Sequence, residues 1–399
     1  MEHSANSVYM IFTIATIIFT SPYIASFFRL PTAPIEIVLG SITAYFSLLS
    51  PDDGIFRLIS EVGFFYLMFL AGTEVNLNIL LKLEKSIFIK GSLYLVVLYT
   101  LSMFFVKLLN LPYIFVFMFS LISVGLIMTL FKEYGKDKKW LNLAMNIGVL
   151  GELLSIVLLT VVASMLENGI SKEFIISISF LFVFMIGAFL LYRVLKVTFW
   201  WHPEWKNLLV PKQGDKDEKD IRTSMAIFFL MVALMSILHL EIAFGAFIAG
   251  VFIATFFEHK EHLPHKLSTF GFGFLIPIFF IHIGSTFELR FLLIADMVWK
   301  SILVTTIMIL IRFLATFVFY KILTIREKGL FALAHSMPLT LLIAIATLAL
   351  QYKAISEYNY YILILASLLE VLLSMMAIKL LTPSLGQKDE LSSHSYHRR

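Results

Sequence analysis

The stretch NIGVLGELLSIVLL, from Asn146 to Leu159, lies within an apolar run long enough to cross a membrane, and near its middle stands Glu152. No basic residue occurs within four positions of that carboxylate on either side. A chain that keeps an acid in such a place must either partner it or use it.

The run is one of many. Mean hydropathy is +0.90, 59% of residues are hydrophobic and 15% are charged, a balance foreign to soluble domains of this length. A helix of about 20 apolar residues spans the hydrocarbon core, and runs of that size recur along the chain. The fold class is therefore an all-α membrane protein. Reading the runs between Pro- and Gly-bearing turns predicts thirteen spans, near 8–28, 33–49, 55–73, 86–108, 113–131, 141–165, 173–195, 222–239, 242–257, 268–287, 299–322, 329–350 and 358–381. Residues 1–381 form the membrane domain and 382–399 a short polar tail. The one long polar linker, HPEWKNLLVPKQGDKDEKDIR (202–222), separates seven spans from six. With no cysteine, disulfides and thiol ligands are excluded. The start, MEHSANS, lacks the positive n-region of a cleaved signal, so the first run is expected to stay as a helix.

Charge placement orients these spans. With the N-terminus outside, 23 basic residues fall towards the cytoplasmic side and six towards the outer side, as positive-inside topology requires. The six are Arg57, Lys107, Lys172, Arg290, Lys300 and Lys353, whereas Lys90 and Arg312 lie within spans. Seven spans, a linker and six more predict inverted-topology repeats, spans 1–6 matching 8–13. Glu152 in the sixth span then corresponds to Glu370 in the thirteenth, and Lys90 in the fourth to Arg312 in the eleventh. Interrupted helices at matching positions point to a midplane site. The fifth span carries Ser123-Val124-Gly125 and the twelfth carries His335-Ser336-Met337-Pro338-Leu339-Thr340, both poor material for an unbroken helix. Both are expected to be broken, crossing segments whose backbone lines a site.

An ionised group at the bilayer centre costs on the order of 2.5–3.5 kcal/mol on insertion scales. It persists where it meets water or a partner, and a carboxyl group taken out of water holds its proton more readily. Such a group can carry a proton or a small cation but hardly both, which is the minimum that cation/proton exchange needs. Oxygen donors suit hard cations. Ser155, one turn beyond Glu152, and carbonyls of a broken fifth span would complete the set. Arg312 keeps its charge and must find an anion or carbonyls, with Glu152 and Glu370 the deep carboxylates available. A structural ion pair with one of them is the alternative to a role in the site.

Several segments together resemble the bacterial monovalent cation:proton antiporters of the Kef- and NapA-like branch: LPTAPIEIVLGSI, EVGFFYLMFLAGTEVNL, AFGAFIAGVFIA and PIFFIHIGSTFEL. The resemblance runs from span 2 to span 13. It implies a dimerisation bundle and a mobile core with two crossing broken helices, working by elevator-type alternating access as a homodimer in the bacterial inner membrane. The family's ion-site pair on the sixth span, Asp-Asp or Asn/Gln-Asp, reads Gly151-Glu152 here, and its basic residue on the eleventh span falls at Arg312. A single carboxylate with arginine resembles electroneutral exchangers, implying one-for-one Na⁺/H⁺ exchange. Kef-like potassium handling and a transport-inactive sensor remain open. The tail lacks the Gly-rich strand–helix fingerprint of the nucleotide-binding domain that Kef-type systems append.

The remaining polar residues have plainer expectations. Glu36, Glu61, Glu74 and Lys90 are expected to snorkel to an interface. His282 and His335 have the right ordinary pKa to sense pH but are read as hydrogen-bonded structural residues. EHKEHLPHK, with His259, His262 and His265, is read as a solvated loop. No HExxH, GxSxG or TVGYG-like motif occurs, which speaks against an enzyme or a selectivity-filter channel. Expected partners are monovalent cations, protons, lipid and a second copy of the chain, with no cofactor and no nucleic acid.

Overall fold

The computed structural model describes residues 2–28, 31–75, 84–135, 137–169, 171–201, 218–238, 240–257, 262–287, 289 and 295–382. Most of the expected linker, His259 and the tail from 383 lie outside them. Among the described residues the regular structure is helical, with no strand. The helices are α1 (Glu2–Phe28), α2 (Thr32–Tyr45), α3 (Gly54–Thr73), α4 (Lys85–Leu108), α5 (Ile114–Ser120), α6 (Gly125–Tyr134), α7 (Lys139–Asn168) and α8 (Lys172–Trp201). They continue as α9 (Lys219–Ile237), α10 (Ile242–Phe256), α11 (His262–Phe270), α12 (Ile276–Thr286), α13 (Ala295–Ala315), α14 (Ile325–His335), α15 (Leu339–Gln351) and α16 (Glu357–Leu381). Nine helical stretches among the described residues are long and apolar enough to cross a membrane, and three shorter apolar helices accompany them.

Local chemistry sets the ends. Asp53 accepts from the Ile55 and Phe56 N–H groups, both at 3.0 Å, and starts α3 directly after the Pro-Asp-Asp turn. A capping box of Thr324 and Glu327 starts α14. Gly135 and Gly169, at φ 76° and 61°, follow the last residues of α6 and α7 in the left-handed conformation that ends helices cheaply.

Two compact units divide the chain. The first comprises residues 1–81 and 160–289, the second 82–159 and 290–399. In the first, α3 packs on α10 and α2 on α12. Each pairing is built on reciprocal glycines. A Cβ at Gly72 would fall on the carbonyl oxygen of Phe247 and one at Gly250 on that of Phe69; Gly40 stands likewise over Ile281, and Gly284 over Ile37. The Ser41 hydroxyl adds a 2.8 Å bond to the Gly284 carbonyl. Lipid gives little hydrophobic reason for helices to associate, so close backbone approach through small residues supplies the packing. The glycines of FLAGTE, GAFIAG, EIVLGS and IHIGST are thus contact points between helices.

In the second unit α13 packs against α16, α4 and α14, while α15 also lies on α16. The expected fifth span is interrupted at 121–124, between α5 and α6, and the expected twelfth at 336–338, between α14 and α15. Of these half-helices, α5 lies against α15 and α14 against α6.

Two expectations are corrected here. Glu36 does not snorkel: it is buried, and its carboxylate accepts from the Ser21 hydroxyl of α1 at 3.3 Å, so the packing of α1 on α2 supplies it with a partner inside the protein. His262 and His265 belong to a helix rather than a loop, since α11 runs through a π-helical turn, Gly271–Leu275, into α12. Both side chains are exposed. Glu61 is exposed and paired with Arg57 at 3.1 Å.

Candidate functional site

The gap between α5 and α6 leaves four residues, Leu121 to Val124, without helical partners for their backbone groups. In a membrane interior those groups must be satisfied by other parts of the protein. Their partners define the site. The Leu121 carbonyl accepts from Arg312 Nη2 at 2.8 Å. The Ile122 N–H points to Ser155 Oγ at 3.4 Å. The Ser123 hydroxyl donates to Glu152 Oε1 at 3.3 Å, and the Val124 N–H donates to Glu152 Oε2 at 3.1 Å. One turn of α7, through Glu152 and Ser155, therefore holds the broken segment from one side while α13 holds it from another.

The carboxylate sits at the start of α6, where the helix dipole favours negative charge. Glu152 is fully buried and Ser155 almost so. Gly151 explains how the segment comes so close. A Cβ there would lie 2.7 Å from Ile122 Cδ1 and 3.1 Å from Ile122 Cβ, so Ile122 fills the room that a side chain at 151 would take.

Arg312, fully buried, spreads its guanidinium over three acceptors. Nη1 reaches Glu370 Oε1 and the Met308 carbonyl, both at 2.9 Å, and Nη2 takes the Leu121 carbonyl. Its partner is thus Glu370, on α16, rather than Glu152. Arg312 Nε and Glu370 Oε2 have no hydrogen-bond partner among the described residues. A buried pair is weak evidence for stability, yet removing one member is costly. Here the pair also carries a backbone carbonyl of the broken segment.

The second gap is tied down differently. His335 ends α14, its Nε2 2.9 Å from the Ala144 carbonyl of α7 and its Nδ1 3.1 Å from the Tyr94 hydroxyl of α4. A ring nitrogen facing a carbonyl must carry the hydrogen, which leaves Nδ1 to accept from Tyr94. The Ser336 carbonyl accepts from Ser374 Oγ at 3.2 Å. Pro338 caps α15 and cannot donate to the turn before it; Thr340 is the second residue of that helix.

The expected residues thus fall into three groups. Glu152, Ser155, Ser123 and Val124 come together, with Gly125 opening α6 beside them. Arg312 and Glu370 join that group through Leu121. Pro338 and Thr340 mark the second break. Sequence reading missed Leu121 and Ala144, which act through carbonyls, and Ile122 and Tyr94, which carry no distinguishing signal in the sequence. His282 is a structural residue as read, bonded to the Pro51 carbonyl at 3.0 Å. Among the described residues no cluster of three His, Cys, Asp or Glu side chains could hold a metal ion.

The chain belongs to the sodium/hydrogen exchanger family, whose transmembrane region it matches over residues 14–382. It is 25% identical over 420 residues to YjbQ of Bacillus subtilis, a protein named for Na⁺/H⁺ antiport, covering 98% of this chain and 65% of that one. A Methanocaldococcus jannaschii protein named Na⁺/H⁺ antiporter 3 is 26% identical over 329 residues, covering 79% of this chain and 80% of that one. The chain therefore spans about two thirds of the length of the first relative and four fifths of the second. The fold is similar to that of the sodium proton antiporter MjNhaP1 from M. jannaschii at pH 8, with TM-score 0.67 and 16% identity, over 97% of this chain and 100% of that one.

Proposed function

We propose that this protein is a monovalent cation/proton antiporter, with Na⁺ as the cation and Glu152 as the group that carries either ion. The observation that carries this reading is the Glu152 carboxylate, fully buried and held by the Ser123 hydroxyl and Val124 N–H at the start of a half-helix. Those donors hold both oxygens in place. A cation binding there would meet the carboxylate and the hydroxyl oxygens of Ser123 and Ser155. A proton on the same carboxyl would weaken both hydrogen bonds and remove the charge that attracts the cation. The two ligands therefore exclude each other.

Arg312 serves this scheme as a positioning residue. It fixes the Leu121 carbonyl, and so the register of the broken segment, without spending its charge on Glu152. One carboxylate that exchanges its ligand, with the other paired to arginine, supports a one-for-one, electroneutral cycle. Family membership supports the wider reading: thirteen spans in two inverted repeats with crossing broken helices, elevator-type movement, a homodimer, and an N-terminus outside the bacterial inner membrane. The motifs in spans 2 to 13 support the Kef- and NapA-like branch.

The test is a pH-sensitive dye inside proteoliposomes, with Na⁺, K⁺ and Li⁺ added separately. Proton movement on adding Na⁺, unchanged when the membrane potential is clamped at zero, is expected. No response to any of the three ions would refute antiport. A response to K⁺ alone would replace Na⁺ as the substrate, and a substrate-driven current across a planar membrane would refute one-for-one exchange.

A further inference from the structure

Four basic residues collect at one end of the second unit, where α13 passes into the 3₁₀ turn Thr316–Phe319 and the chain re-enters as α14: Lys321, Arg326, Lys328 and, at the end of α16, Lys379. Arg326 Nη2 donates to the carbonyl of Leu381, the last residue of α16, which brings that helix end to the start of α14. Lys328 is only 7% exposed, and its Nζ lies 4.5 Å above the Phe317 ring. Among the described residues its ammonium group makes no hydrogen bond and no ion pair. Lys321 is set the same way, 5.3 Å over Tyr320. Glu327, the acid of this segment, is taken up by the helix cap, accepting from the Thr324 N–H and hydroxyl at 2.9 Å each.

Aromatic faces hold an ammonium group in place but supply only part of what a carboxylate would. A lysine with a buried stem and no counter-charge among the described residues is therefore ready for an anion. The surroundings say which kind. Phe317, Tyr320, Ile325 and Leu380 are 45%, 65%, 64% and 86% exposed around the same helix ends. Aromatic and apolar side chains interleaved with lysines at the ends of spanning helices mark the headgroup level of a bilayer. A free anion would have no use for that apolar rim.

We propose that this end of the second unit binds the phosphodiester headgroup of an anionic phospholipid. Lys328 and Lys321 face the phosphate, while Phe317, Tyr320, Ile325 and Leu380 lie along the acyl chains. The site is separate from Glu152 and does not depend on the transport reading.

The experiment is a thermal-melting titration of the full-length protein in neutral detergent. Dioctanoyl phosphatidylglycerol is the probe, with dioctanoyl phosphatidylcholine and glycerol 1-phosphate in parallel. Phosphatidylglycerol raises Tm saturably and the other two do not. Lys328→Met and Lys321→Gln each raise the half-saturating concentration about fivefold, the weight of one basic residue at an anionic surface, whereas Lys107→Gln leaves it unchanged. If Lys328→Met fails to fold, Lys321→Gln decides alone. A phosphatidylglycerol response that neither folded variant alters would overturn the site. An equal response to glycerol 1-phosphate would overturn its assignment to a lipid.

Discussion

Alanine at position 151 probes the closest packing in the candidate site. Its methyl would stand 2.7 Å from Ile122 Cδ1, 3.1 Å from Cβ and 3.3 Å from Cγ1. Carbon atoms at rest stay about 3.5–4.0 Å apart, so Ile122 must retreat by roughly 1 Å. Rotating the side chain moves Cδ1 but leaves the Cβ contact, so the backbone has to follow. That backbone is the broken segment, held on Ser155 by the Ile122 N–H and on Glu152 by its next two residues. Overpacking of this kind costs about 1–3 kcal/mol. Melting of Gly151→Ala, Ile122→Ala and the double variant forms a thermodynamic cycle. Ile122→Ala alone opens a cavity costing about 2–5 kcal/mol, and the methyl at 151 enters the same space. The double variant is then less destabilised than the sum of the singles by at least about 1 kcal/mol. Gly151→Ala also raises the cation concentration for half-maximal transport, because Ser123 and Val124 shift against the carboxylate. A Gly151→Ala protein that melts and transports like wild type, with an additive cycle, would refute the packing argument.

Other consequences are independent of that one. Arg312→Ala strands Glu370 and the Leu121 carbonyl and lowers stability by about 3–5 kcal/mol in a melting assay, whereas Arg312→Met with Glu370→Leu recovers most of the loss. Gly250→Ala pushes a methyl onto the Phe69 carbonyl and costs about 1–3 kcal/mol, while Gly187→Ala, with open space at its Cβ, stays within about 0.5 kcal/mol of wild type. His335→Phe leaves the buried Tyr94 hydroxyl without its acceptor and costs about 1–3 kcal/mol; equal melting of variant and wild type would remove His335 as a clamp on the second break.

Hydropathy made the helical class legible, because few other patterns produce apolar runs of this length. Both breaks were legible too. Ser123-Val124-Gly125 and Ser336-Met337-Pro338 offer the backbone alternatives to helix within otherwise apolar spans. Glu152 stood out because an intramembrane acid is costly. Arg312 was recognisable as needing an anion, but its choice of Glu370 depends on how α13 and α16 pack, which no local pattern records. The Leu121 and Ala144 carbonyls were invisible because every residue has one. Ile122 looked like any apolar residue until Gly151 was found beside it. Glu36 misled for a related reason: two residues beyond Pro34, at the start of its span, it read as an interfacial residue, and only the folded chain sets it, buried, against Ser21 of α1.

Competition between cation and proton for Glu152 tests the central claim most directly. Initial rates of sodium-driven proton release are measured in proteoliposomes across a pH series, for wild type and for Glu152→Gln. The account predicts that lowering the pH raises the half-maximal Na⁺ concentration for wild type, leaves the rate at saturating Na⁺ little changed, and that Glu152→Gln abolishes exchange while still folding. Exchange that survives in Glu152→Gln with the same pH dependence would contradict it.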